Sequence, residues 1–217
     1  MKFIYGSYNN LSLFLERYSD LSFVKKDGIL VVPPCDNIFI SLFPEKNHNV
    51  SKFLANSIAN SVCNLELFLR NKLWPINNYF PEFMRISSKV LQSVCFGDFR
   101  INQKQLQRII SAFRHVGNIS IFRCAISVQK VPNFKYALKN CKIKTFVLSN
   151  TGRSILKSLF QTPEEFINLV EGLSTSPDFN QSLETFKILS LPYNESCIRN
   201  ILNTYNFKTA IIKKSWF

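Results

Sequence analysis

Six short stretches share one apolar frame, and that recurrence limits what the chain can fold into more than any other feature. The clearest copy is Val116-Gly-Asn-Ile119-Ser-Ile121-Phe-Arg-Cys124-Ala-Ile126, apolar at its first, fourth, sixth and eleventh positions, with a cysteine at the ninth. Leu91-Gln-Ser-Val94-Cys-Phe96 precedes it. Ile143-Lys-Thr-Phe146-Val-Leu148, Leu183-Glu-Thr-Phe186-Lys-Ile188 and Phe207-Lys-Thr-Ala210-Ile-Ile212 follow, and Val62-Cys-Asn-Leu65-Glu-Leu67 is a weaker sixth copy. From Leu91 onward the first positions advance by 25, 27, 40 and 24 residues, a drifting period of the kind repeat architectures show.

Each frame predicts a short strand, because its fourth and sixth residues alternate with polar or mixed neighbours and point to one side of the pleat. At Val62 the pattern is ambiguous, since residues 64–73 read equally well as a continued helix. The segments between frames carry helical spacing. Leu106, Ile109, Ile110 and Phe113 form one stripe; Phe134, Ala137, Leu138 and Cys141 a second; Phe166, Leu169, Val170 and Leu173 a third; Ile198, Ile201, Leu202 and Tyr205 a fourth. Thr162-Pro163-Glu164-Glu165 has the form of a capping box with proline at the first helical position, and Pro132 stands in a similar place before its stripe.

Strand, helix and strand with the same facing make a βα unit, and repeating it gives a parallel sheet with helices on one side. Strands lie about 4.8 Å apart while helices need about 10 Å, so such a stack bends with its strands inside the curve. On the L-x-x-L-x-L frames and the cysteine at position 124, the chain resembles the leucine-rich repeat family, in its ribonuclease-inhibitor-like branch. It is similar also to the long Asn-, Lys- and Phe-rich versions found in some unicellular eukaryotes, through strings such as Val131-Pro-Asn-Phe134 and Ala137-Leu-Lys-Asn-Cys141-Lys-Ile143. The resemblance spans roughly residues 52–212. It implies an α/β fold, a solenoid or horseshoe with parallel strands on the concave face and helices on the convex face, and it brings no catalytic residue with it. Residues 1–51 read as an N-terminal capping segment and 52–217 as the repeat domain, with about five to six βα repeats. Within the cap, residues around Leu11–Tyr18 suggest a short helix and residues 28–34 a strand stopped by prolines. Residues 50–58 and 78–86 read as further helices. Two departures stand out. The asparagine or cysteine expected at the ninth position is replaced by Phe99, Thr151 and Leu191 in the other repeats, and the Ile143 repeat is long, its extra residues near 150–161 and 174–181 reading as rim loops.

The remaining composition excludes more than it identifies. A chain of 217 residues with 46% hydrophobic content can bury about 70% of its unfolded surface as one domain. The start has no apolar export core and no run approaches a membrane span, so the expectation is an intracellular, cytoplasmic protein. The six cysteines contain no C-x-x-C pair and the two histidines, His48 and His115, lie far apart; reduced, buried thiols are expected, with no metal and no cofactor. The glycines form no phosphate loop, and the adjacent Glu164 and Glu165 occupy a first helical turn, where negative charge complements the helix dipole. His115 closes a helix. The reading is a non-catalytic protein.

Two surfaces remain as binding candidates. The column after the sixth frame residue reads Phe68, Gly97, Phe122, Ser149, Leu189, Lys213, and the column before it Glu66, Cys95, Ser120, Val147, Lys187, Ile211. These side chains point away from the helices, and an apolar patch among them marks a partner site unless the chain's own N-terminal segment or long loop covers it. Phe68, Cys95, Phe122, Val147, Lys187 and Leu189 are the residues that would meet a protein partner in a scaffolding role. The second surface follows from charge, 27 Lys and Arg against 14 Asp and Glu. Lys104 and Arg108, then Lys135 and Lys139, are four apart on successive predicted helices and would form a basic strip on the convex face. The alternative function is therefore a basic component of a ribonucleoprotein or other large assembly, contacting nucleic-acid phosphates through that strip.

Overall fold

In the computed structural model the frames become hydrogen-bonded neighbours, in the register their spacing predicts. The structure describes residues 91–150, 159–207 and 209–213 with their side chains, and the strand backbone at 2–6, 24–26, 29–31, 35–42, 62–69 and 74–75. Strand β7 (Ser93–Gly97) pairs with β9 (Asn118–Phe122), β9 with β11 (Thr145–Ser149), β11 with β12 (Thr185–Leu189) and β12 with β13 (Ala210–Lys213), every pair parallel. Fourth frame residues face each other along the row Val94, Ile119, Phe146, Phe186, Ala210, and sixth residues along Phe96, Ile121, Leu148, Ile188, Ile212. On the other flank β5 (Val62–Leu69) continues both rows with Leu65 and Leu67. Residues 64–69 are thus strand and not helix. The sheet also reaches into the first 50 residues, through β4 (Cys35–Leu42) and then β1 (Lys2–Gly6), for eight strands in all. A separate antiparallel pair, β2 (Val24–Lys26) and β3 (Ile29–Val31), accounts for the proline-stopped strand. The expected helices at 11–18, 50–58 and 78–86 lie outside the described residues.

The backbone repeats as regularly as the side chains. The carbonyl of each second frame residue accepts two N–H groups from the next strand: Gln92 from Gly117 and Asn118, Gly117 from Lys144 and Thr145, Lys144 from Glu184 and Thr185. At the far end, the eighth residue donates to the seventh residue's carbonyl on the next strand, as in Asp98 to Phe122 (3.1 Å), Arg123 to Ser149 (2.7 Å), Asn150 to Leu189 (3.0 Å) and Ser190 to Lys213 (2.8 Å). Three of these eighth residues, Asp98, Arg123 and Ser190, hold a positive φ near 65°, 49° and 59°. That left-handed step turns the chain off the sheet and into the next element.

After the turn a second, smaller parallel sheet forms from β6 (Trp74–Pro75), β8 (Phe99–Asn102) and β10 (Ala125–Ser127). Cys124 lies beneath it, fully buried, accepting the Phe99 N–H at 3.4 Å, with its sulfur also 3.4 Å from the Phe96 and Phe122 carbonyl oxygens. It ties two successive turns together, and burial pushes its thiol pKa up. In two other frames the same position is filled by apolar bulk, Phe99 and Leu191, both buried. Thr151 lies outside the described residues.

Helices α1 (Gln103–Ala112), α2 (Pro163–Ser174), α3 (Pro177–Ser182) and α4 (Glu195–Thr204) share one core with the fourth and sixth frame residues. α1 starts on a reciprocal cap in which Asn102 accepts the Gln105 N–H and the Gln105 side chain accepts the Asn102 N–H. The expected box at Thr162 is only half formed. Thr162 accepts the Glu165 N–H, but the Glu165 carboxylate turns instead to the Gln161 N–H (2.7 Å) and the Ser127 hydroxyl (2.9 Å), joining α2 to β10.

The second apolar stripe does not make an α-helix. Phe134, Leu138 and Cys141 are buried as expected, yet residues 135–140 are turns with one i→i−4 bond, Leu138 to Phe134, and shorter bonds after it. Asn133 caps Lys135 just after Pro132, and Asn140 at φ 58° reverses the chain seven residues later, so the run closes on i→i−3 bonds from Lys139 to Tyr136 and from Cys141 to Leu138. Pro132 therefore does not open a helix. Its ring and carbonyl instead lie so close to α2 that a Cβ on Gly172 would sit 2.6 Å from both, and glycine there is what lets α2 approach. Residues 174–181 do not form the expected rim loop. They contain α3, capped by Ser176, and its Phe179 is fully buried. Leu159 and Phe160, in the other expected loop, are also buried, with Phe160 bridging Ile126 of β10.

Candidate functional site

The sheet has one covered face and one that is half open. While the fourth and sixth frame residues of β7, β9, β11 and β12 are buried, Ser93, Cys95, Ser120, Phe122, Thr145, Val147, Thr185, Lys187 and Leu189 on the opposite side are only partly so, and Gly97 and Ser149, which flank Phe122 there, are buried. Backbone register brings the candidates into two rows. Cys95 faces Ser120, then Val147, Lys187 and Ile211 on successive strands; Phe68 faces Gly97, then Phe122, Ser149, Leu189 and Lys213. Phe68 belongs to β5 by its backbone, and its side chain lies outside the described residues. Ile211 is 40% exposed, Lys213 is exposed, and the strands β7 to β13 place no carboxylate on this face. Hydroxyls, apolar groups and two ammonium ions make a surface suited to contact through burial, hydrogen bonds and attraction of negative charge.

At the strand ends one cluster borders the face. The Arg123 guanidinium donates to the Asp98 carboxylate at 2.7 Å and lies over the Phe122 ring, 4.7 Å from its centroid, so the ring is backed by a fixed cation. Burial raises the Asp98 pKa from its ordinary value, with the Arg123 charge and hydrogen bond opposing that shift. The sign follows. The folded chain binds this proton more tightly than the unfolded one, so Asp98 removes stability as pH rises through its titration. In Asp98→Asn the melting temperature relative to wild type should therefore improve from pH 3 to pH 6, an amide being tolerated at this positive φ and still able to accept from Arg123. A difference that stays flat or declines over that range would contradict the placement of Asp98.

No protein-family model, curated protein or solved structure matches this chain. The surfaces are read from their own chemistry.

The basic residues Lys104 and Arg108 are exposed on α1, whereas Lys135 and Lys139 are exposed on the turns at 135–140 and not on a second helix. The two pairs are nevertheless on adjoining segments. The Gln103 side chain accepts the Lys130 N–H and the Gln107 amide donates to the Asn133 carbonyl, so residues 130–133 run beside α1. His115 lies in the turn beyond α1 and not within the helix. Among the described residues no group of three or more His, Cys, Asp or Glu could hold a metal ion, and no helix is long and apolar enough to cross a membrane. A feature that the charge pairs and strand columns leave out is Tyr136, 78% exposed beside Lys135, although its place two residues after Phe134, opposite the apolar stripe, signals that exposure.

Proposed function

We propose that the chain is a leucine-rich repeat solenoid of the ribonuclease-inhibitor-like kind, acting as a non-catalytic scaffold that takes a protein partner on its concave sheet face. The observation that carries this reading is the composition of the open face: Phe122, Val147, Leu189 and Ile211 come from four adjacent strands, alternating between its two rows, and keep at least partial exposure, while the fourth and sixth frame residues of β9, β11 and β12 are buried. The fitting partner is a polypeptide segment with apolar side chains next to carboxylates, since Lys187 and Lys213 are uncompensated by any acid on β7 to β13. Phe122 occupies β9, inside the sheet, where water exclusion is greatest and a truncated aromatic loses most.

The partner, once captured by cross-linking and purified, should bind Phe122→Glu at least about 2 kcal/mol more weakly than wild type. The circular dichroism spectrum and melting point should hardly change, and Lys135→Gln should bind like wild type. Undiminished affinity with a normal melt would remove the open face as the partner site, and a large drop in melting point would mean that Phe122 is covered by the chain itself.

A further inference from the structure

The net charge of +13 is not spread over the chain. Residues 91–150 hold ten Lys and Arg and a single acid, Asp98, which is itself paired with Arg123. Residues 159–207 show the opposite balance, six acids against Lys187 and Arg199. Five of those ten, Lys104, Arg108, Lys130, Lys135 and Lys139, lie on α1 and the segment beside it, and there Tyr136 stands almost fully out of the surface. Lys135 lies 5.8 Å from the centre of its ring, Lys139 is three residues on, and Lys104 and Arg108 are exposed on the adjoining helix. At the end of this segment Asp178 accepts the Asn140 N–H at 2.6 Å. At this exposure the ring is open to a ligand that carries a flat face of its own.

We propose that the surface formed by α1 and residues 130–140 binds single-stranded nucleic acid, a base stacking on the Tyr136 ring while Lys104, Arg108, Lys135 and Lys139 meet the phosphates. A duplex or an acidic protein would use the charges and leave the ring idle, whereas an unpaired base has a π-face for it. With only charge and stacking, recognition is indifferent to sequence.

The test is fluorescence anisotropy of a labelled oligouridylate of roughly 15 nucleotides against the full chain, at several salt concentrations, a length set by the sites such surfaces occupy. Saturable binding is expected, weakening with salt. Tyr136→Ala should weaken it about ten-fold and Tyr136→Phe should not. Changing Lys104, Arg108, Lys135 and Lys139 together to Gln should weaken it further and flatten the salt slope by about 0.7 for each phosphate that is no longer neutralised. Heparin, which has charge but no bases, should bind wild type and Tyr136→Ala equally. The proposal is overturned if the oligonucleotide does not saturate the protein at low salt, if Tyr136→Ala binds it like wild type, or if a duplex of the same length binds as tightly. It is also overturned if Phe122→Glu abolishes the binding, which would move it to the sheet.

Discussion

Ile121→Asp should unfold the chain under conditions where Ser120→Asp melts close to wild type, although the two residues are adjacent. Ile121 is inaccessible to solvent in β9, and its register partners Phe96 and Leu148 are equally buried. An aspartate there either buries an unpaired charge or takes up a proton at a cost, on top of roughly 3 kcal/mol of forfeited apolar transfer and packing. The sum approaches the entire stability of an ordinary domain, about 5–15 kcal/mol. Ser120 lies on the other face, half-buried between Cys95 and Val147, where a carboxylate keeps its water. Thermal melts followed by circular dichroism separate the two, and equal midpoints would contradict the strand register.

The second large effect belongs to Phe146. Its ring packs edge-on against Phe186 at 5.5 Å and Phe179 at 6.1 Å, and both of those reach Phe207, at 5.4 and 6.3 Å. The four rings join β11, β12, α3 and the approach to β13. Phe146→Ala should cost about 3–5 kcal/mol, measured from the shift in urea midpoint, because rings held by separate elements cannot all close on the vacancy. A double-mutant cycle with Phe179→Ala should return a coupling of about 0.5–1.5 kcal/mol. A loss below about 1 kcal/mol would mean that α3 is not packed on the sheet as described.

The parts of the fold legible in the sequence are those fixed by strict alternation. A slip of one residue would turn Val94, Phe96, Ile119 and Ile121 outward, so the frame determines facing and register together. Helical stripes are a weaker guide. Phe134, Leu138 and Cys141 have the spacing of a helix and are buried, yet residues 135–140 between them are turns, closed by the left-handed Asn140. In the same way Phe179 is hidden among Ser, Pro, Asp and Asn, a composition that reads as loop until Ser176 is recognised as a cap with proline after it. β8 and β10 are too short for any period, and the turns that lead into them depend on positive φ at Asp98 and Arg123, where no glycine signals it. The open sheet face can be written down from the sequence as two columns. The exposure of Tyr136 follows from the same spacing, since two residues on from Phe134 it stands opposite the apolar stripe.

Site-specific photocross-linking tests the sheet-face reading most directly. A benzophenone side chain placed singly at Val147, Leu189 and Ile211, which lie on adjacent strands of one face, should capture the same protein from all three positions. The same probe at Glu164 and at Arg199, exposed on α2 and α4, should not capture it. Capture from the helix positions with none from the strand positions would contradict the account.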